Sequence, residues 1–202
     1  GLTVSLTGQR AFTARDITVA GDLSAAAFFL VGASLVPDSD VTITGVGVNP
    51  TRTGILDILR DMGARIDLVN PRVQAGEPVA DLRVRSAPLR GITIGPDRIP
   101  QTIDEFPILC VAAACAQGKT VISGASELRV KESDRIATMA AELRRMGAEV
   151  EERPDGMRIG GGRPLKGAVC QSHGDHRVAM SMTIAGLVGS GETTVEDTAC
   201  VA

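Results

Sequence analysis

Apolar and polar positions along this chain follow two periods, and the two recur in a fixed order. Ile136, Met139, Ala140 and Leu143 are spaced i, i+3, i+4, i+7, the stripe of an amphipathic helix. Ser133 or Asp134 can cap its start, and Gly147 can end it. Ile55, Ile58, Leu59 and Met62 form a second stripe of this kind, closed by Met62-Gly63-Ala64 as the first is by Met146-Gly147-Ala148. Three other segments, 24–35, 106–116 and 178–188, are apolar on nearly every face, which predicts interior helices. Short β-branched runs predict strands at 41–45, 65–69, 120–124, 149–151 and 193–196, with briefer ones at 82–84 and 92–94. Residues 1–20 alternate loosely through Leu2, Val4, Leu6, Ile17 and Val19, which predicts one or two strands around a Gly8-Gln9-Arg10 turn.

These elements make a repeat. Asp22, Asp104 and Asp175 each stand before an all-apolar helix, which is followed by a turn and a strand. In the first two copies an amphipathic helix and another strand follow. The few extra residues of the second copy fall in the loop that opens its amphipathic helix. A period of this size points to stacked structural units. The third copy's second helix is expected beyond Ala202, so the chain reads as truncated within a unit.

At 202 residues the chain forms one large or two small domains and buries roughly 70% of its unfolded surface. Aromatics are 2% of it, with no Trp or Tyr, so the core is left to Ala, Val, Leu, Ile and Met. Net charge is −3 and the 21 basic residues are spread along the chain, which argues against a nucleic-acid partner. Cys110, Cys115, Cys170 and Cys200 form no C-x-x-C pair and only two histidines are present, so no metal site is expected. A reduced, cytoplasmic setting fits the cysteines. No signal peptide opens the chain, and no apolar stretch is long enough for a membrane span.

The densest chemistry lies at 128–135, Leu-Arg-Val-Lys-Glu-Ser-Asp-Arg, with three cations and two carboxylates. A helix N-terminus there favours anions. If the helix reaches back far enough, Lys131, Glu132 and Arg135 share one face. The plainer alternative is a solvated capping turn with a local ion pair.

From Arg129 through Val130, Lys131, Glu132, Ser133 and Asp134 to Arg135, this segment resembles the signature of the 5-enolpyruvylshikimate-3-phosphate synthase family. Two more segments resemble that family in its own order: Ile103-Asp104-Glu105-Phe106-Pro107 and Gly174-Asp175-His176-Arg177-Val178-Ala179-Met180-Ser181. The resemblance runs from about Gly21 to the last residue. It implies an α/β fold (α+β in some schemes) of repeated β-α-β-α-β-β units, three per domain. Helices lie inside and sheets outside, as in the enolpyruvyl transferase inside-out α/β barrel, here with the third unit truncated. Residues 1–202 would be a single C-terminal domain, the phosphoenolpyruvate side of a two-domain enzyme whose N-terminal domain is absent. The implied reaction transfers an enolpyruvyl group from phosphoenolpyruvate to the 5-hydroxyl of shikimate 3-phosphate, with no cofactor and no metal. The fragment alone would be inactive.

The resemblance also implies roles. Asp104 and Glu132 match catalytic carboxylates; Asp104 and Lys131 match residues that face shikimate 3-phosphate; Arg135 and Arg177 match arginines that clamp phosphoenolpyruvate. Arg suits a substrate bearing carboxylate and phosphate because its planar fork binds both. His176 reads as a site residue or as a supporting hydrogen bond. Each role has a plainer counterpart: Asp104, like Asp22, as a helix cap, and Arg177 as a helix-start arginine paired with Asp175. Arg52 reads as structural, and Arg129 as a pocket or surface cation. Many family members have Asn-Trp where this chain has Glu127-Leu128, so no substrate contact transfers to Glu127. Two rival functions share the architecture: enolpyruvyl transfer to UDP-N-acetylglucosamine, and a binding domain without chemistry.

Overall fold

The computed structural model describes residues 3–8, 11, 13–14 and 16–201. The first unit comprises α1 (Leu23–Leu35), β1 (Asp40–Gly47), α2 (Gly54–Asp61), β2 (Arg65–Gln74) and β3 (Glu77–Arg85). The second is β4 (Thr93–Ile94), α3 (Phe106–Cys115), β5 (Lys119–Ile122), α4 (Arg135–Arg145), β6 (Glu149–Arg153) and β7 (Gly156–Gly160). The third is β8 (Val169–Gln171), α5 (His176–Val188) and β9 (Thr194–Glu196). The sheets have the orders β1-β3-β2, β4-β5-β7-β6 and β8-β9. Where the second unit has the parallel pair β4–β5, the first has, among the described residues, only a parallel bridge from Gly21 to Val46.

The three all-apolar helices pack on one another inside, with the sheets outside. They run parallel. At their N-terminal ends Ser24 of α1 donates to Glu105, just before α3, and Arg177 of α5 donates to the Asp104 carbonyl. At their C-terminal ends Leu35, Cys115 and Val188 border one cavity of about 350 Å³. Small side chains let the helices approach: Gly32 of α1 lies where an added Cβ would sit 3.5 Å from Ile184 of α5. The expectation that 178–188 is buried all round is corrected, since Leu187 is 65% exposed, as is Phe29 of α1 at 62%. With Val36, Val41 and Ile184 they line an apolar groove between α5 and α1.

Gly63 and Gly147 end α2 and α4 in the left-handed region at φ 100° and 87°, as Met-Gly-Ala predicts. A second repeated pattern escaped the sequence reading. Pro88-Leu89-Arg90-Gly91 and Pro164-Leu165-Lys166-Gly167 occupy equivalent connectors. A Cβ on Gly91 would lie 2.3 Å from the Lys119 carbonyl oxygen, and one on Gly167 would lie 2.1 Å from that of Glu192. Only glycine permits that approach.

One expectation fails, and another is met by a longer strand than foreseen. Among the described residues of 1–20 there is no strand, and Val4, Leu6, Ile17 and Val19 are 69–95% exposed. Their alternation has no sheet to pack against; Leu2, Gln9 and Arg10 lie outside the described residues. The strand expected at 82–84 is present as the end of a long hairpin, β2–β3, turning at Ala75 and Gly76, both with positive φ. Pro71 hides this hairpin from the sequence, because proline cannot donate to a ladder. It is accommodated where the β2–β3 register shifts between Val69 and Arg72. The β1–β3 register shifts opposite it, between Ile43 and Val46.

Asp81 joins the two irregularities. It accepts from Gly45 N at 2.8 Å, Asn70 Nδ2 at 2.9 Å and Arg72 Nη1 at 3.1 Å. The Asn70 amide, then the Gly45 N–H and Arg72, bring its carboxyl down to about 2 against the opposing effect of burial. A depressed folded pKa gives stability that is present above the unfolded value of about 3.9 and lost as pH falls toward 2. Asp81→Asn is therefore expected to lower the urea midpoint at pH 7, with the difference from wild type closing between pH 4 and pH 2. A difference independent of pH in that window would refute the assignment.

Candidate functional site

The N-terminal ends of α1, α3 and α5 meet, so three helix dipoles present their positive ends to one region. Asp22 caps α1 through Ser24 N and Ala25 N at 3.1 and 3.2 Å, and Asp175 caps α5 through Arg177 N at 2.9 Å. Asp104 does not act as a cap. It sits in a 3₁₀ turn, Ile103–Glu105, and no side-chain cap bond is made at the start of that turn or of α3. Its carboxylate, 35% exposed, faces Arg135 Nη1 at 3.8 Å and Arg177 Nη2 at 3.7 Å.

The charged loop resolves the open question about α4. That helix starts at Arg135, capped by Asp134 Oδ1 accepting from Ala137 N at 3.0 Å. Residues Ser126–Val130 form a separate 3₁₀ turn and Lys131 is extended, so Lys131 and Glu132 are not on the helix. Arg129 holds the loop down. It donates to the Pro154 carbonyl at 2.7 Å, the Arg153 carbonyl at 2.6 Å and Asp134 at 2.8 Å, which makes it a structural cation.

Arg135 is the centre. Its side chain is 3% exposed, and Nε donates to Asp175 Oδ2 at 2.8 Å. Its Nη2 lies 3.8 Å from Glu132 Oε1. Glu132, half-exposed, takes His176 Nδ1 at 2.8 Å. Ser133 donates to Asp175 at 3.0 Å. The structure therefore brings together Asp104, Glu132, Arg135, Arg177 and His176. Lys131 makes no hydrogen bond or ion pair with them; its ammonium pairs with Glu127 at 2.8 Å.

The pairing of Asp175 corrects the plainer reading of Arg177. The carboxylate of Asp175 serves Arg135, whereas the guanidinium of Arg177 turns to Asp104. Asp175 is fully buried. Burial pushes its pKa up, but the bond and charge of Arg135, with Arg177 N–H and Ser133, hold it below the usual carboxylate range. Glu105 was also unforeseen. It is buried beside Asp104, bonded to Ser24, whose hydroxyl in turn accepts from Arg52 at 3.0 Å. Burial raises the pKa of Glu105 despite Ser24 and the nearby Arg177. Nothing in sequence spacing marks Glu105, because its partner Ser24 is 81 residues away.

Glu132, Asp175 and His176 offer ligand atoms within 4.8 Å of one another. The guanidinium of Arg135, bonded to Asp175 and 3.8 Å from Glu132, already places a positive charge there. The group reads as an ion-pair network rather than a metal centre. At 3.7–3.8 Å, the arginines and the carboxylates of Asp104 and Glu132 are beyond hydrogen-bond distance. Donors and acceptors are thus held near each other without being consumed, which suits an anionic substrate undergoing proton transfer.

A family model described as EPSP synthase (3-phosphoshikimate 1-carboxyvinyltransferase) matches residues 1–202. The 3-phosphoshikimate 1-carboxyvinyltransferase of Gloeobacter violaceus is 59% identical over 200 residues, covering 99% of this chain and 46% of that protein. That of Geotalea uraniireducens is 60% identical over 193 residues, covering 96% and 45%. Among solved structures, EPSP synthase from Acinetobacter baumannii superposes with a TM-score of 0.89 at 48% identity, over 92% of this chain and 44% of that one. The enolpyruvyl transferase NikO from Streptomyces tendae gives a TM-score of 0.71 at 23% identity, over 91% and 40%, a likeness of fold. The chain spans about half the length of the curated relatives it matches, 46% and 45% for these two.

Proposed function

Because the chain belongs to the EPSP synthase (3-phosphoshikimate 1-carboxyvinyltransferase) family, we propose that it forms the phosphoenolpyruvate-side domain of an enzyme that transfers the enolpyruvyl group to the 5-hydroxyl of shikimate 3-phosphate. A proton adds to the terminal alkene carbon of phosphoenolpyruvate, and the hydroxyl oxygen adds at C2 as it loses its own proton. The C2–O bond to phosphate then breaks, and loss of a methyl proton restores the alkene. Two carboxylates in different surroundings suit these opposite proton movements. In this reading Asp104 and Glu132 handle the protons, and Asp104 faces the acceptor hydroxyl. Arg135 and Arg177 hold the carboxylate and phosphate of phosphoenolpyruvate, at the positive ends of the helices. Lys131 reaches shikimate 3-phosphate by leaving Glu127, with which its ion pair is half-exposed and weak. His176 orients Glu132.

The observation that carries this reading is the meeting of Asp104, Glu132, Arg135 and Arg177 from two units. A domain that only binds a partner has no use for two arginines left short of bonding to two carboxylates. The reading places the enzyme in the cytoplasm, supported by four free thiols, which a reducing compartment maintains. No helix among the described residues is long and apolar enough to cross a membrane.

Phosphate release tests the proposal. The chain alone is expected to show no turnover, because the rest of each substrate's ligands would come from the other half of the enzyme. Supplied with that half, it should release phosphate from phosphoenolpyruvate with shikimate 3-phosphate and not with UDP-N-acetylglucosamine. Turnover by the purified chain alone, or a preference for the nucleotide sugar, would overturn it.

A further inference from the structure

Glu142 plays no part in the chemistry above, yet it is fully buried. It lies seven residues after Arg135 on α4, two turns along and on the same face. The neighbouring buried positions of that helix are Ile136, Met139, Ala140 and Leu143, so a carboxylate is out of place there on burial grounds. Its two oxygens are engaged. Oε2 accepts from Gln171 N at 3.1 Å and pairs with Arg145 Nε at 3.3 Å; Oε1 meets His173 Nε2 at 2.9 Å. A carboxylate only accepts, so that histidine nitrogen carries the hydrogen.

Gln171 ends β8, and His173 lies in the turn that joins β8 to α5 and ends on Asp175. The turn is unusual, since His173 and Gly174 are both left-handed, at φ 55° and 69°. A histidine there is uncommon and needs local support. Ser172 supplies part of it, donating to the Asp197 carbonyl at 2.5 Å and accepting from Gly174 N at 3.0 Å. Glu142 supplies the rest. Thus α4 grips one turn at two points: Arg135 holds its end at Asp175, and Glu142 holds its beginning.

We propose that Glu142 and His173 form a latch that positions Asp175 and, through it, the guanidinium of Arg135 and the start of α5 bearing Arg177. The latch residues touch no substrate; they are positioning residues. The proposal rests on the function assigned above, since it says which substrate feels the loss. With Arg135 and Arg177 as the phosphoenolpyruvate clamp, loosening the turn weakens that substrate and leaves the acceptor alone.

The test uses the complete enzyme containing this chain. His173 is partly exposed, so His173→Ala spares the core. It is expected to raise KM for phosphoenolpyruvate about 5- to 20-fold, as a small misplacement of binding groups does. KM for shikimate 3-phosphate should stay within about twofold. His173→Gln, whose side-chain amide can donate to Glu142, should restore most of the loss. Glu142→Gln, left with one acceptor oxygen for its donors, should give the same split between the two KM values. Amide hydrogen exchange adds a readout that needs no activity: exchange at 171–177 should quicken in His173→Ala while the remaining helices keep their protection. Unchanged exchange at 171–177 would overturn the latch, and so would equal changes in both KM values. Loss of transfer in the wild-type enzyme would instead count against the assigned function, with the exchange result still deciding the latch.

Discussion

Glu132→Gln in the complete enzyme is expected to lower kcat by about 10²- to 10⁴-fold, the range for a lost general acid or base. The substitution keeps the shape of the side chain and an oxygen that can accept from His176, 2.8 Å away in the wild type. It removes the exchangeable proton and the charge facing Arg135 at 3.8 Å. Because that separation is too long for a hydrogen bond, the loop has little reason to move, and KM for both substrates should change by only a few fold. Asp104→Asn should slow turnover comparably and also weaken shikimate 3-phosphate, since the proposed function sets that carboxylate against the acceptor hydroxyl. Steady-state kinetics with each substrate varied separate the two. A near-normal kcat in Glu132→Gln would reduce that residue to an ion-pair partner of Arg135 and His176.

Asp175→Ala should show the other large effect, this time on folding. Arg135 is 2% exposed and depends on Asp175 for its closest bond. Removing one member of a buried pair leaves an uncompensated charge, which costs about 3–5 kcal/mol. Loss of the α5 cap adds about 1 kcal/mol. Asp175→Asn retains an oxygen for the cap and should cost less. The acid limb of the stability curve gives a second check. Asp175 has a depressed pKa, so its contribution is present above the unfolded value of about 3.9 and disappears as pH falls below it. Urea titrations of wild type and both variants between pH 7 and pH 3 measure all three quantities. A loss under about 1 kcal/mol for Asp175→Ala at pH 7 would mean that Arg135 finds equivalent support from Asp104 and Glu132.

Much of the fold could be read from the chain, because its helices are of two extreme kinds. Segments apolar all round became the inner helices, and the striped ones, α2 and α4, became the outer ones with Met-Gly-Ala stops. The repeat followed from those. What could not be read depends on partners distant in sequence. The β2–β3 hairpin is masked by Pro71 and by an irregularity that only Asp81 explains. The loose alternation before Gly21 carries no information about whether a sheet is there to receive it. For the site, family resemblance named the residues, and spacing alone left each with a plainer alternative. The geometry separates these cases. Asp104 caps nothing, Arg177 does not pair with Asp175, and Lys131 stands apart with Glu127. Asp175 both caps α5 and holds Arg135, a double duty that one sequence cannot reveal.

The second and third units exchange arms: Arg135 reaches forward to Asp175, and Arg177 reaches back to Asp104. Each unit therefore supplies a partner to an arginine of the other, although each has its own sheet. In a chimaera of two related parents, the two units would have to travel together. A recombination junction at 86–92 keeps both crossings within one parental segment, whereas a junction anywhere from 136 to 174 divides them between two parents.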